Sequence, residues 1–202
     1  MITIYKNFNI ADKSYVHIGG KVAEYSESDD LLQTINYLSA QSKFICIGNT
    51  SKILFCFEKS PYTFFKFTNK KIVFFKECFF AYSGASLNYI QHILSQKNIS
   101  GFEYLSTIPG CLGGSIVNNS SFLKQTISDL LISILVYEEG SIHFIEKKDI
   151  DFSYRQSGLI KDNFLIIGAY FKIIKSDQRS IQKKIAEGKR FRLNHQGTYL
   201  NT

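Results

Sequence analysis

The stretch GFEYLSTIPGCLGGSIVNNSS, residues 101–121, limits what this chain can fold into more than any other passage. It gathers four glycines, one of the two prolines and the pair Asn118-Asn119 into an apolar run. Pro109 fixes one φ, while Gly110, Gly113 and Gly114 reach conformations closed to other residues and remove every Cβ from one surface. Such a backbone either packs a helix tightly on a sheet or lies flat against a planar or phosphorylated ligand. These residues alone leave both open.

The rest of the chain supplies strands and helices around that passage. YVHIGGKVAEYS (15–26) reads as a short strand, a Gly19-Gly20 turn and a second strand, after a polar lead-in. SESDDLLQTINYLSAQ (26–41) predicts a helix, with serine caps, Asp29 and Asp30 at its positive end and Leu31, Leu32, Ile35 and Leu38 on one face. KFICIG is a buried strand, and ILFCF, YTFFKF, KIVFF and CFFAYS read as successive strands. A second helix starts at Ser86, and LLISILVY, SIHFIE and NFLIIGAYFKII predict antiparallel strands. A polar helix over about 178–190 follows, and no element is predicted after it. A βαβ-like part to residue 75, then an antiparallel β-rich part over 76–188, makes the class α+β.

Three segments carry chemical potential. IGNTSKIL (47–54) sets Gly48, Asn49, Thr50, Ser51 and Lys52 directly after a buried strand, as an ordinary turn or as a nest whose backbone N–H groups bind an anion. The 106–119 passage is the second. In the third, DFSYRQSG, Arg155 sits beside Tyr154 in a loop, either as a surface cation or as a guanidinium that pairs with a carboxylate.

Lys and Arg outnumber Asp and Glu by 24 to 17, which favours anionic partners. The charge is scattered, and KKIVFFK (70–76) and KRFR (189–192) read as solvated surface rather than a nucleic-acid arm. Cys46, Cys56, Cys78 and Cys111 stand too far apart for a zinc site or a disulfide framework, and no metal site is expected. Neither a secretion signal nor a membrane span is legible, so a cytoplasmic protein is expected.

In order along the chain, these motifs resemble the MurB family, UDP-N-acetylenolpyruvoylglucosamine reductase. SYVHIGGKVAEY is similar to its Thr-Phe-x-Ile-Gly-Gly-x-Ala opening, IGNTSKIL to its Gly-x-Gly-Ser-Asn-Leu-Leu loop and YSGASLNYI to its Ala-Gly-Ala helix start. GFEYLSTIPGCLGGSIVNNSS resembles its Gly-Leu-Glu-x-Leu-x-Gly-Ile-Pro-Gly-x-Val-Gly-Gly signature, and FSYRQSGL its Tyr-Arg-x-Ser-x-Phe. The resemblance implies an FAD-binding PCMH-type fold, like that of vanillyl-alcohol oxidase, with two subdomains, 1–75 and 76–188, and the start of a substrate domain at 189–202.

It further implies a flavoprotein oxidoreductase of peptidoglycan synthesis, serving cell-wall biogenesis, cell shape and division, with FAD as cofactor and NADPH as reductant. Gly48, Asn49, Thr50, Ser51 and Lys52 would hold the FAD diphosphate, Gly84 and Ala85 would join the cofactor site, and Ile108, Pro109, Gly110, Gly113 and Gly114 would line the flavin. Arg155 and Tyr154 would bind the enolpyruvyl part of a UDP-sugar. Thr198 stands where the family has its proton-donating serine, in GTYLNT rather than Gly-Ser-x-Phe-Lys-Asn-Pro. The family's last domain, with its glutamate, is not legible in the sequence, and a separate chain is one expected source. The alternatives are a non-catalytic FAD- or nucleotide-binding remnant and another FAD oxidoreductase of the same fold.

Overall fold

Val22 and Tyr25 on one strand and Phe64 and Phe65 on another are almost wholly buried, and burying such side chains drives the first sheet together. In the computed structural model, which describes residues 1–196, that sheet comprises β1 (Thr3–Asn9), β2 (Lys21–Ser28), β3 (Phe44–Cys46) and β4 (Lys59–Phe67) in the order β1-β2-β4-β3. β4 runs parallel to β2 and β3, while β1 is antiparallel to β2. Helix α1 (Leu31–Ser39) crosses from β2 to β3, and Asp30 caps it by accepting from Gln33 N at 2.9 Å.

The second sheet is antiparallel throughout. It contains β5 (Ile72–Phe74), β6 (Cys78–Tyr82), β10 (Leu131–Glu138), β11 (Ser141–Glu146) and β12 (Phe164–Lys172), in the order β11-β10-β12-β6-β5. Between β6 and β10 lie α2 (Leu87–Ser95), β7 (Ile99–Ser100), α3 (Leu112–Val117), β8 (Ser121–Phe122) and β9 (Gln125–Thr126). β13 (Ile174–Lys175) pairs with β7, and α4 (Gln178–Gln196) ends the described chain. One face of this sheet buries Phe79, Phe171 and Ile134 against Ile90 and Leu94 of α2 and Leu112 and Ile116 of α3. Its other face sets Tyr137, Leu165 and Ile167 against Leu38, Phe44, Phe65 and Phe67. The two sheets thereby share a core, and truncating Phe65 to alanine would remove about 3–5 kcal/mol.

Several sequence expectations change. β1 lies in the segment read as a polar lead-in: as an edge strand it leaves six of its seven side chains exposed, so it has no apolar alternation to betray it. Residues 15–18 form no strand. Gly19-Gly20 serves a close approach instead, since a Cβ on Gly20 would lie 2.2 Å from Phe57 O. ILFCF is a loop, with Phe55 buried against Phe64 at 5.8 Å between ring centres. Leu32 is exposed, Thr34 taking the inward place on α1. α4 continues past 190 to Gln196, through the expected boundary at 188. β5, before residue 75, already belongs to the second sheet, so the sheets part between Phe67 and Ile72. Thr198 lies outside the described residues.

Candidate functional site

Beyond the C-terminal end of β3 the chain turns through Gly48–Ile53, and this loop faces α3 and the Ile108–Cys111 segment across a cleft. Serine joins the walls: Ser51 Oγ donates to Pro109 O at 3.2 Å. The larger part of the cleft holds about 440 Å³, between Cys46–Gly48, Gly113–Gly114 and the Leu159–Asp162 segment that leads into β12. That is within the size of small-molecule sites.

The loop's backbone is unusual. Ile47 N donates to Phe65 O and Ile53 N to Thr50 O, yet none of the five N–H groups from Gly48 to Lys52 has a protein acceptor among the described residues. Thr50 sits at φ 55, a left-handed conformation rare for a β-branched residue, and such a turn directs successive N–H groups to one side. Its hydroxyl points away from the cleft: Oγ1 accepts from Tyr15 N at 2.8 Å and lies 3.0 Å from Lys13 O. Thr50 therefore shapes the nest and holds it to the 13–15 segment.

The glycines divide by task. A Cβ on Gly114 would meet nothing within 4 Å, and Gly114 borders both parts of the cleft. A Cβ on Gly84 would come within 2.8 Å of backbone atoms of Phe67, Thr68 and Asn69, so this glycine permits packing. Gly84 and Ala85 are absent from the cleft wall; Ala85 is fully buried and its carbonyl accepts from Leu112 N at 2.8 Å. Gly84 thus packs on the 67–69 segment and Ala85 supports α3. Gly113 N likewise donates to Ser83 O.

Tyr154 and Arg155 lie outside the cleft wall, on an exposed turn closed between Ser153 and Gln156. Arg155 occupies φ 59 and its guanidinium lies 5.8 Å from the Tyr154 ring. The turn is tied to the end of α3 by Asn119 Nδ2 donating to Ser153 O at 2.9 Å and Ser157 Oγ donating to Val117 O at 2.7 Å. This places Arg155 near Lys52. Burial first, then the charges of Arg155 and Arg192, hold the Lys52 ammonium below the ordinary lysine range. Among the described residues no carboxylate pairs with any of these three cations.

Arg192 was missed from sequence because KRFR reads as surface. Its guanidinium donates to Thr107 O, and Tyr104 OH donates to Glu187 at 3.0 Å, so α4 is docked on the turn that leads into Ile108-Pro109. Ser115, Asn118 and Ser120 also border the nest side of the cleft, and their only sequence signal was membership of the Gly-rich passage. Leu159–Asp162 had none. No helix among the described residues is long and apolar enough to cross a membrane.

No family model matches the chain. The UDP-N-acetylenolpyruvoylglucosamine reductase of Caldanaerobacter subterraneus subsp. tengcongensis is 27% identical over 190 residues, covering 91% of this chain and 63% of that relative. The chain thus spans less than two thirds of that relative's length. The structure of UDP-N-acetylenolpyruvylglucosamine reductase (MurB) from Thermus caldophilus superposes with a TM-score of 0.79 at 19% identity, over 95% of this chain and 69% of that one. Berberine bridge enzyme, as a variant in complex with (S)-reticuline, shares the fold at a TM-score of 0.60 and 11% identity, over 88% and 41%. The architecture is that of the PCMH-type FAD-binding proteins.

Proposed function

We propose that this chain, a relative of the UDP-N-acetylenolpyruvoylglucosamine reductases and so of the MurB family, holds FAD in the cleft and serves the reduction of an enolpyruvyl UDP-sugar, with NADPH as reductant. The observation that carries the reading is the run of five N–H groups from Gly48 to Lys52, unpaired among the described residues, opposite the side-chain-free face of Gly114. The residues present fit the cofactor: the nest suits a diphosphate, the open glycine face suits a flat ring, and the volume suits a nucleotide.

When bound, FAD supplies the hydride chemistry. The chain's own groups do the rest. The N–H groups of Gly48–Lys52, with the Lys52 ammonium, offset the negative charge of a diphosphate. Lys52 and Arg192 lack carboxylate partners among the described residues, so their fields favour an anionic ligand at the mouth. The turn anchored by Asn119 and Ser157 presents Arg155, whose planar guanidinium pairs two N–H donors with a carboxylate and stabilises negative charge that develops beside it. Thr198 is proposed as the hydroxyl that delivers a proton. The similarity in fold to berberine bridge enzyme keeps a second reading in play, an FAD oxidoreductase acting on another substrate.

The test begins with colour. Purified protein should be yellow, or become so with added FAD, and should release flavin on denaturation. NADPH consumption should depend on UDP-N-acetylglucosamine enolpyruvate and fall at least about a hundredfold in Arg155→Ala, the loss typical of removing a charge-stabilising donor. A colourless protein that ignores FAD overturns the reading, and unchanged turnover in Arg155→Ala removes that residue from it.

A further inference from the structure

Among the edges of the two large sheets, β11 is the one left unguarded by the described residues. β3 is an edge of only three residues, β1 carries Lys6 within it, and the short β5 lies between Lys71 and Lys76. Short edges and lysines are the usual means of keeping a stray strand from pairing. β11 has six residues and no lysine from Ser141 to Glu146, and among the described residues its backbone makes no hydrogen bond beyond its pairing with β10. Alternate N–H and C=O groups along it therefore point outward unpaired.

Its side chains are apolar on the face they share with Tyr137. Ile142 is 47% exposed and Phe144 58% exposed, and they stand opposite Tyr137 and Leu135 of β10. The Phe144 ring reaches over β10 to Tyr170 of β12 at 5.9 Å, and Tyr170 in turn meets Phe80 at 4.8 Å and Phe75 at 5.9 Å. An apolar row thus runs across the sheet and ends at its open edge. A strand laid along that edge would pair the backbone and take the row's end out of water.

We propose that β11 pairs with β11 of a second copy, antiparallel about a two-fold axis through His143, joining the two second sheets into one. The charges select both the occupant and the register. A two-fold axis perpendicular to the sheet brings like faces together, so only residues whose numbers have an even sum can stand opposite each other. With the axis at Ile142, Glu138 would meet Glu146 of the second copy. With the axis at Phe144, Glu139 would meet Asp149 and Ile142 would meet Glu146. At His143 the pattern becomes complementary: Ile142 meets Phe144 and, past the strand ends, Glu139 meets Lys147 and Glu138 meets Lys148, each contact occurring twice. Glu139 and Lys147 have no ion-pair partner in their own chain among the described residues. The two His143 side chains meet on the opposite face, each 3.6 Å from Glu138 of its own chain. Such a contact is isologous and closes at two copies.

Sedimentation equilibrium of the full chain over about 1–100 µM, with folding checked by circular dichroism, tests the pairing. The wild type should be a dimer at the upper end of that range. Phe144→Lys, at an exposed position, should sediment as a monomer throughout. Glu139→Lys and Lys147→Glu should each weaken the dimer roughly tenfold, because like charges then oppose each other twice. The double variant Glu139→Lys/Lys147→Glu restores opposite signs and should return to within about twofold of the wild type. If Phe144→Lys fails to fold, the charge series decides. A monomeric wild type, a species larger than a dimer, a folded Phe144→Lys chain that dimerises unchanged, or charge variants whose losses add in the double variant would each overturn the proposal. β11 borders neither part of the cleft, so these outcomes do not depend on whether flavin binds.

Discussion

Alanine at Gly114 and alanine at Gly84 should have opposite consequences, because the two glycines are small for different reasons. At Gly84 a Cβ would stand 2.7 Å from Asn69 O, 2.7 Å from Thr68 C and 2.8 Å from Phe67 O, all backbone atoms that cannot rotate aside. Overpacking of this kind costs about 1–3 kcal/mol, and at roughly 2–4 °C per kcal/mol for a chain of this size the midpoint should fall by about 2–12 °C. At Gly114 a Cβ meets nothing within 4 Å, and the residue lies inside α3. Glycine in a helix interior is about 1 kcal/mol worse than alanine, so Gly114→Ala should raise the midpoint by about 2–4 °C. Its methyl, however, stands on the face where the ligand is proposed to lie. An overpacking cost of about 1–3 kcal/mol against the ligand corresponds to roughly 5- to 150-fold weaker binding. Thermal unfolding of the cofactor-free chain, followed by circular dichroism, and flavin titration by fluorescence quenching measure the two effects. Loss of stability with unaltered affinity in Gly114→Ala would refute the division of tasks.

Three further outcomes follow from the same geometry. Thr50→Val keeps the side-chain shape but leaves Tyr15 N without its acceptor, so urea unfolding should show a loss of about 1–3 kcal/mol; no change would mean that the hydroxyl does not hold the loop. Lys52 has a folded pKa below its ordinary 10.5, which means that its charged form disfavours folding below that value and the penalty fades as pH rises through the folded pKa. Lys52→Met should therefore stabilise the cofactor-free chain near neutrality, lose that advantage above pH 10.5, and weaken flavin binding; a destabilised variant at neutrality contradicts the charge crowding. Burial pushes Glu27 up, but the hydrogen bond from Tyr25 and the Lys13 ammonium outweigh it and its pKa is lowered, so its contribution is present above pH 4.5 and lost as pH falls through the folded pKa. The stability gap between the wild type and Glu27→Gln, from urea midpoints, should close in acid, and a gap that persists there would point to lost packing instead.

Sequence patterns revealed the elements whose side chains are sorted by burial. α2 has Leu87, Ile90 and Leu94 buried and is capped by Ser86 accepting from Tyr89 N at 3.1 Å, as its serine and apolar stripe predict. β10 and β12 in the middle of the second sheet bury both faces, so their apolar runs were plain. β1 escaped because an edge strand exposed on both sides leaves no such trace, and ILFCF misled because a loop that buries only Phe55, with Ile53, Leu54 and Cys56 exposed, contains the same residues as a strand. A strand needs a neighbour to pair with, and apolar composition does not record one.

At the candidate site, composition identified the segments but could not assign tasks within them. Glycine is the clearest case: Gly84 and Gly114 look alike in sequence, and only the atoms opposite each absent Cβ tell packing from an open ligand face. The nest shows the reverse difficulty. Asn49 and Thr50 stand where glycine would be expected for positive φ, yet Thr50 adopts φ 55 because its hydroxyl is engaged by Tyr15 N and lies beside Lys13 O, bonds made to a segment distant in the chain. A tertiary contact therefore pays for a backbone conformation that the residue alone disfavours. Arg192 completes the point, since a guanidinium docked on Thr107 O reads from sequence as one more surface cation. What makes the cleft suited to an anion is the combination, among the described residues, of unpaired N–H groups and cations without carboxylates, and both are statements about missing partners, which a sequence does not record.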